Sequence, residues 1–533
     1  MLVLCAAHAQ ERSFGTLPLA QKTKPSSLSG GRLADSSGYR KALNVYNKLV
    51  QARGDFRFPV PAFLMTREEN RVAGINYDQL EIVLEEKAYK VCATYGAQSD
   101  AAMAFLLGHE LTHYYEKHAW RRGFAADYRD LPIGLKLDSL MDGAANETEA
   151  DYLGGFLAYS AGYGLFDKGA DLMQKLYTAY GIPPEIPGYP SLSDRQALGQ
   201  RSAEKLKRLV ELFDMANLLT AIGKYPEAYE CYRYLLMQYQ SREIYNNLGV
   251  TALLDALRYF SGSELKFRIP VQLDLESTGS RNLGLINPRD QMLNQAILHF
   301  DAAISMDPNY APAYLNKACA YMLLGDAGRA RFYAGTEAIE AAKKGGYPKT
   351  ETDAAILLGI LDAQAGETEK AKTAFQQAAN AGSALATINL SILLNQPPGA
   401  EIADAAGLPR VERIDGKSLA EIEETLAVDP KRSVELSAHV AFHQNPKQGE
   451  KSRLFVCQNT RTDAVILFHL TEPGYTGKTA RLIGLGSDRS AIVKAYGEPS
   501  RTVETPLGQI MAYQKILFIL DPKGQLTRWV NFQ

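Results

Sequence analysis

Two histidines four residues apart inside an unbroken apolar run constrain this chain more than any other feature. The stretch Phe105-Leu106-Leu107-Gly108-His109-Glu110-Leu111-Thr112-His113 has the texture of a helix. Positions i and i+4 share one helix face, so His109 and His113 offer two imidazole nitrogens to a single metal ion. Glu110 lies about 100° around the helix from His109, within reach of a water held at that point.

A second helical stretch supplies the missing chemistry. Asn146-Glu147-Thr148-Glu149-Ala150-Asp151-Tyr152-Leu153-Gly154 runs on into apolar and small residues. Catalytic zinc usually takes three protein ligands and leaves a fourth position to water. Glu147 and Asp151 are an i, i+4 pair on one face. The natural division puts Glu147 on the metal and lets Asp151 accept the outer N–H of a ligating histidine, which fixes its tautomer. Glu149 points elsewhere by helical geometry. His118 has no motif partner and is expected to offset a helix dipole.

His-Glu-Leu-Thr-His followed by Glu-Thr-Glu-Ala-Asp resembles metallopeptidase family forty-eight, the gluzincin group containing HtpX and the CAAX prenyl proteases. The resemblance covers roughly residues 40–207. It implies a mainly helical peptidase domain with one Zn2+ on His109, His113 and Glu147, and Glu110 as general base. Tyr189-Pro190-Ser191-Leu192-Ser193-Asp194-Arg195 matches a further family element except at its first position. There the family has a histidine that stabilises the oxyanion, and here Tyr189 would donate instead. Arg195 is expected to anchor a carboxylate near the site. Leu80 to Ala93 reads as a strand bordering the substrate cleft, with Gly96 to Ser99 turning into the motif helix.

From about residue 208 the pattern changes to self-similar helical hairpins. Ala296, Phe300, Ala303 and Pro308 fall in tetratricopeptide register, as do Gly359, Gly366, Ala371, Phe375 and Ala378. Gly223, Ala228, Tyr232 and Leu235 mark a first copy, and Gly325 and Ala330 another. One copy is split: its first helix holds Tyr245 to Gly249, and its second starts near Arg289 after an irregular insertion over 261–288. A solenoid of this type commonly grips a partner polypeptide. Beyond 400 the periodicity becomes two. Arg453 to Cys457, Ala464 to Leu470, Met511 to Leu520 and Leu526 to Phe532 read as strands, and Ser490 to Pro499 as a short helix. Asp521-Pro522-Lys523-Gly524 joins the last two strands as a hairpin.

With 58 basic and 60 acidic residues and no basic block, the chain has no footprint for nucleic acid. No apolar run outside the N-terminus reaches membrane-spanning length. Residues 1–9, MLVLCAAHA, read as the remnant of a secretory signal, which implies a periplasmic or secreted protein. Cys92, Cys231, Cys319 and Cys457 are scattered and are expected to be buried free thiols.

The expectation is a multidomain α+β protein. It has a mainly helical gluzincin peptidase domain (40–207), an α-helical tetratricopeptide solenoid (208–395, insertion 261–288) and a small α+β domain (400–533). Its expected role is zinc-dependent hydrolysis of peptide bonds in protein substrates, with repeats for client or partner binding and a place in envelope protein quality control. The alternative is a repeat scaffold or chaperone with a latent or vestigial zinc site.

Overall fold

The computed structural model describes residues 36–69, 71–77, 79–117, 143–164, 166–185, 191–261, 264–271, 288–396, 411–426, 433–449, 451–505, 508–521 and 523–533. The signal reading at 1–9 lies outside them, as do His118, Tyr189 and Pro190. Two compact units divide the chain, Met1–Val210 and Glu211–Gln533.

In the first unit, α1 (Ser37–Arg53) precedes a small sheet of β1 (Ala62–Thr66), β2 (Ala73–Asn76) and β3 (Glu81–Glu85). The sheet order is β1-β3-β2, with β1 parallel and β2 antiparallel to β3. Then come α2 (Glu86–Ala93), α3 (Ser99–Tyr115), α4 (Gly143–Ala158), α5 (Gly169–Tyr180) and the start of α6 (Leu192–Ala221). Ser36 caps α1 by accepting from the Tyr39 N–H at 3.0 Å, and Gly54 closes it at φ 56°. Ala42, Val45 and Leu49 of α1 join Ala102, Leu106 and Leu107 of α3 in one core.

The expected strand Leu80 to Ala93 is in fact two elements. After Glu85 the buried positions are Ala88 and Cys92, four apart, so the period changes from two to that of a helix. β3 is also the central strand, with both edges paired, so it offers no edge to a substrate.

The second unit opens with hairpins. α6 turns through Gly223 (φ 80°) into α7 (Tyr225–Leu236). Next, α8 (Arg242–Ala256) pairs with α9 (Pro288–Met306) across the insertion. Helix α10 (Ala311–Leu323) pairs with α11 (Ala327–Phe332), which continues through a π-helical turn at Tyr333–Ala338 into α12 (Ile339–Gly345). Helices α13 (Pro348–Gln364), α14 (Thr368–Asn380) and α15 (Ala384–Leu393) complete the row. Within two hairpins a glycine makes room for an aromatic ring. A Cβ on Gly249 would lie 2.4 Å from the Phe300 ring, and one on Gly359 would lie 2.8 Å from Phe375.

An eight-stranded antiparallel sheet follows, with α16 (Leu419–Glu423) before it and α17 (Arg489–Tyr496) between strands. Its strands are β4 (Ser433–Glu435), β5 (Val440–Gly449), β6 (Ser452–Asn459), β7 (Ala464–Thr471), β8 (Arg501–Thr505), β9 (Gly508–Ala512), β10 (Ile516–Leu520) and β11 (Leu526–Phe532). They run in the order β4-β5-β6-β7-β11-β10-β9-β8. Met511 to Leu520 is therefore not one strand: the Tyr513 N–H donates to the Ile516 carbonyl at 2.9 Å and reverses the chain. Asp521 builds the last turn, its Oδ1 accepting from the N–H groups of Lys523 and Gln525, both at 2.9 Å.

Repeats and sheet belong to one unit because buried polar groups tie them together. The Asn459 amide donates to Glu227 at 2.7 Å, and Arg453 reaches the buried Glu211 at 3.1 Å. The four cysteines Cys92, Cys231, Cys319 and Cys457 are free and buried. Among the described residues no helix is long and apolar enough to cross a membrane.

Candidate metal centre

Two glycines decide where α3 and α4 meet. A Cβ on Gly108 would lie 2.6 Å from the Gly154 carbonyl oxygen, and one on Gly154 would lie 2.5 Å from the His109 nitrogen. These contacts are backbone on backbone, so no other residue fits without parting the helices. Asp151 and Glu147 sit roughly one and two turns before Gly154, which brings their face opposite His109 and His113.

The cluster is buried and tightly convergent. His109 Nδ1 lies 2.7 Å from Asp151 Oδ1. In the neutral ring that contact selects the tautomer: Nδ1–H donates to the carboxylate, which leaves the Nε2 lone pair for a metal that displaces the second proton. His109 Nε2 stands 3.0 Å from His113 Nε2 and 3.5 Å from Glu147 Oε2, while His113 Nε2 is 3.7 Å from Glu147 Oε1. One donor atom from each of His109, His113 and Glu147 falls within a 4.8 Å span. Tetrahedral zinc with bonds of about 2.0–2.1 Å sets its donors about 3.3 Å apart, so the three residues fit that ion.

Electrostatics favour a cation at the same point. Burial pulls the His109 pKa down, but the hydrogen bonds and charges of Asp151 and Glu147 outweigh it and push it up to about 10. Glu110 is buried beside the cluster. It lines a small pocket with His109, Asp151, Val72 and Ala73 and with Leu172, Met173 and Leu176 of α5. Val72, a β-branched residue at φ 66°, holds a conformation such residues rarely adopt.

Helical spacing thus brings His109, His113, Glu110, Glu147 and Asp151 together. Glu149 stands apart, near the Lys205 ammonium, which in turn lies 4.2 Å over the Tyr152 ring. Arg195 lies in the first turns of α6, with its side chain outside the described residues, where Tyr189 also falls. Sequence reasoning missed three contributors. Gly108 and Gly154 set the helix crossing, and Tyr77 donates its hydroxyl to the His113 carbonyl at 3.2 Å. The signal for the glycines was present: each motif carries one beside its ligands.

Among known families, the tetratricopeptide repeat matches residues 299–332, which span the end of α9, all of α10 and α11. No curated protein matches the chain. The hairpins therefore include a tetratricopeptide repeat, a module that binds protein partners.

Proposed function

We propose that the first unit is a zinc-dependent peptidase and that the repeats bind its protein substrates or partners. One observation carries the reading: two buried imidazoles and a carboxylate converge on a point, with Asp151 orienting one ring and Glu110 beside it. His109, His113 and Glu147 would hold the ion, and zinc, when bound, supplies Lewis-acid polarisation of a carbonyl and activation of water. Glu110 accepts a proton from the attacking water and returns it to the leaving amine. Tyr189 and Arg195 keep their proposed parts, oxyanion donor and anchor. The substrate strand is reassigned. β2 contributes Ala73 to the pocket and pairs on one edge only among the described residues, so an extended peptide would add there.

The tetratricopeptide match is consistent with repeat-mediated binding, and the second reading is a repeat scaffold or chaperone whose zinc site is latent or vestigial. Zinc per chain in the wild type and a Glu147→Ala variant, beside casein hydrolysis with Glu110→Gln as control, separates the two. About one zinc and a Glu110-dependent activity support the peptidase. Full zinc occupancy without activity supports the scaffold, and no zinc in the folded wild type removes the metal centre.

A further inference from the structure

Part of the insertion lies on the repeats as a bound peptide would. Over Glu264–Val271 the exposed residues are Glu264, Lys266 and Arg268, and the half-buried ones between them are Leu265, Phe267 and Ile269. Burial alternates along the segment, which turns at Glu264, bends at Phe267 and turns again where the Val271 N–H donates to the Ile269 carbonyl at 3.0 Å, and no strand pairs with it among the described residues. The apolar side chains pack into the core of the repeats, with the Phe267 ring 5.9 Å from that of Phe375. The segment touches two helices of the array: Cys319 of α10 lies 4.0 Å from the Pro270 carbonyl, and Asn389 of α15 meets Arg268.

The Asn389 contact is recognition of backbone. Its Oδ1 accepts from the Arg268 N–H at 2.8 Å, and its Nδ2 donates to the Arg268 carbonyl at 2.8 Å. One fully buried carboxamide therefore reads both main-chain groups of one residue, a contact indifferent to sequence. A pocket of about 200 Å³, partly open to solvent, is lined by Leu265, Phe267 and Ile269 of the segment and by Met322, Leu323 and Ile360 of α10 and α13. At the entry to the segment the Glu264 carboxylate pairs with Arg289 at 3.0 Å and accepts from the Ser261 N–H at 2.7 Å.

We infer that Glu264–Val271 is a built-in occupant of a peptide-binding face, and that this face takes polypeptide segments with apolar side chains at alternate positions, clamped through Asn389. A client then competes with the chain's own segment. This rests on the repeats' role in binding protein and is independent of the metal centre.

The probe is a fluorescein-labelled peptide with the sequence of Glu264–Val271, titrated into the full chain and into Phe267→Ser/Ile269→Ser, with anisotropy as the readout. At least tenfold tighter binding to the double variant is expected, with that gain lost when Asn389→Ala is added. A scrambled peptide with adjacent apolar residues should bind at least tenfold more weakly. In the wild type, excess peptide should raise hydrogen exchange in 264–271 while α10 and α13 stay protected, a result that stands even if the double variant loses its helical signal. Equal binding by wild type and a folded double variant would overturn the gating role and leave the repeats as a binding face. No binding to either, with unchanged exchange, would overturn the face itself. Equal binding of the scrambled peptide would overturn the alternation.

Discussion

The α3/α4 crossing and the repeat hairpins use the same residue for opposite ends. Between α3 and α4, Gly108 meets Gly154 backbone to backbone, and the space saved brings two carboxylates against two imidazoles. In the hairpins, Gly249 and Gly359 yield their space to the rings of Phe300 and Phe375, and hydrocarbon fills it. The first contact concentrates polar groups around one point. The second removes apolar surface from water and sets hairpin spacing. The histidines follow the same division. The carboxylates around His109 hold its pKa up, whereas burial alone pulls His299 of α9 down to about 4.

The largest expected effect falls on chemistry and leaves both contacts intact. Glu110→Gln should lower peptide hydrolysis by roughly 10²–10⁴-fold with zinc content unchanged. Retained turnover would remove Glu110 from the base role. Gly154→Ala comes next, because backbone cannot swing aside as a side chain does. It should destabilise the first unit by about 3 kcal/mol or more and weaken zinc binding, both read by thermal melts and metal titration. Gly359→Ala should cost about 1–3 kcal/mol in the second unit and leave zinc affinity alone. If it disturbed zinc equally, the distinction between the two contacts would collapse.

Asp151→Ala tests the polar half of the contrast, with an expected loss of about 10–100-fold in metal affinity. Unchanged affinity would mean that Asp151 serves packing. The smallest effect concerns His299. Its folded pKa of about 4 lies below the ordinary 6.5, so between those values the unfolded chain holds more protons. Stability from this group is therefore complete above pH 6.5 and is lost as pH falls towards 4, by about 2 kcal/mol at pH 5. His299→Gln should flatten that part of the pH dependence in urea melts. An equally steep curve would place the acid sensitivity elsewhere.

Much of the site was legible because it is written in helical spacing. His109 with His113, and Glu147 with Asp151, are i, i+4 pairs whose shared faces need no knowledge of the fold. The strand over Leu80 to Ala93 was misread because Glu85 ends one period and Glu86 starts another with no glycine or proline to mark the change. Met511 to Leu520 failed for a similar reason, since Tyr513-Gln514-Lys515 carries no turn residue.

The sequence by itself determined which side chains share a face, because that depends only on 3.6 or two residues per repeat. It also determined the register of the hairpins, through small and aromatic residues at fixed spacing. The tertiary structure decided which faces meet. His109 and Asp151 are 42 positions apart, and their 2.7 Å contact depends on two glycines letting two helices touch. Arg268 and Asn389 are 121 positions apart, and only the stacking of several hairpins brings them together. Periodicity is a local property of the backbone, whereas contact across such separations is set by packing of whole elements.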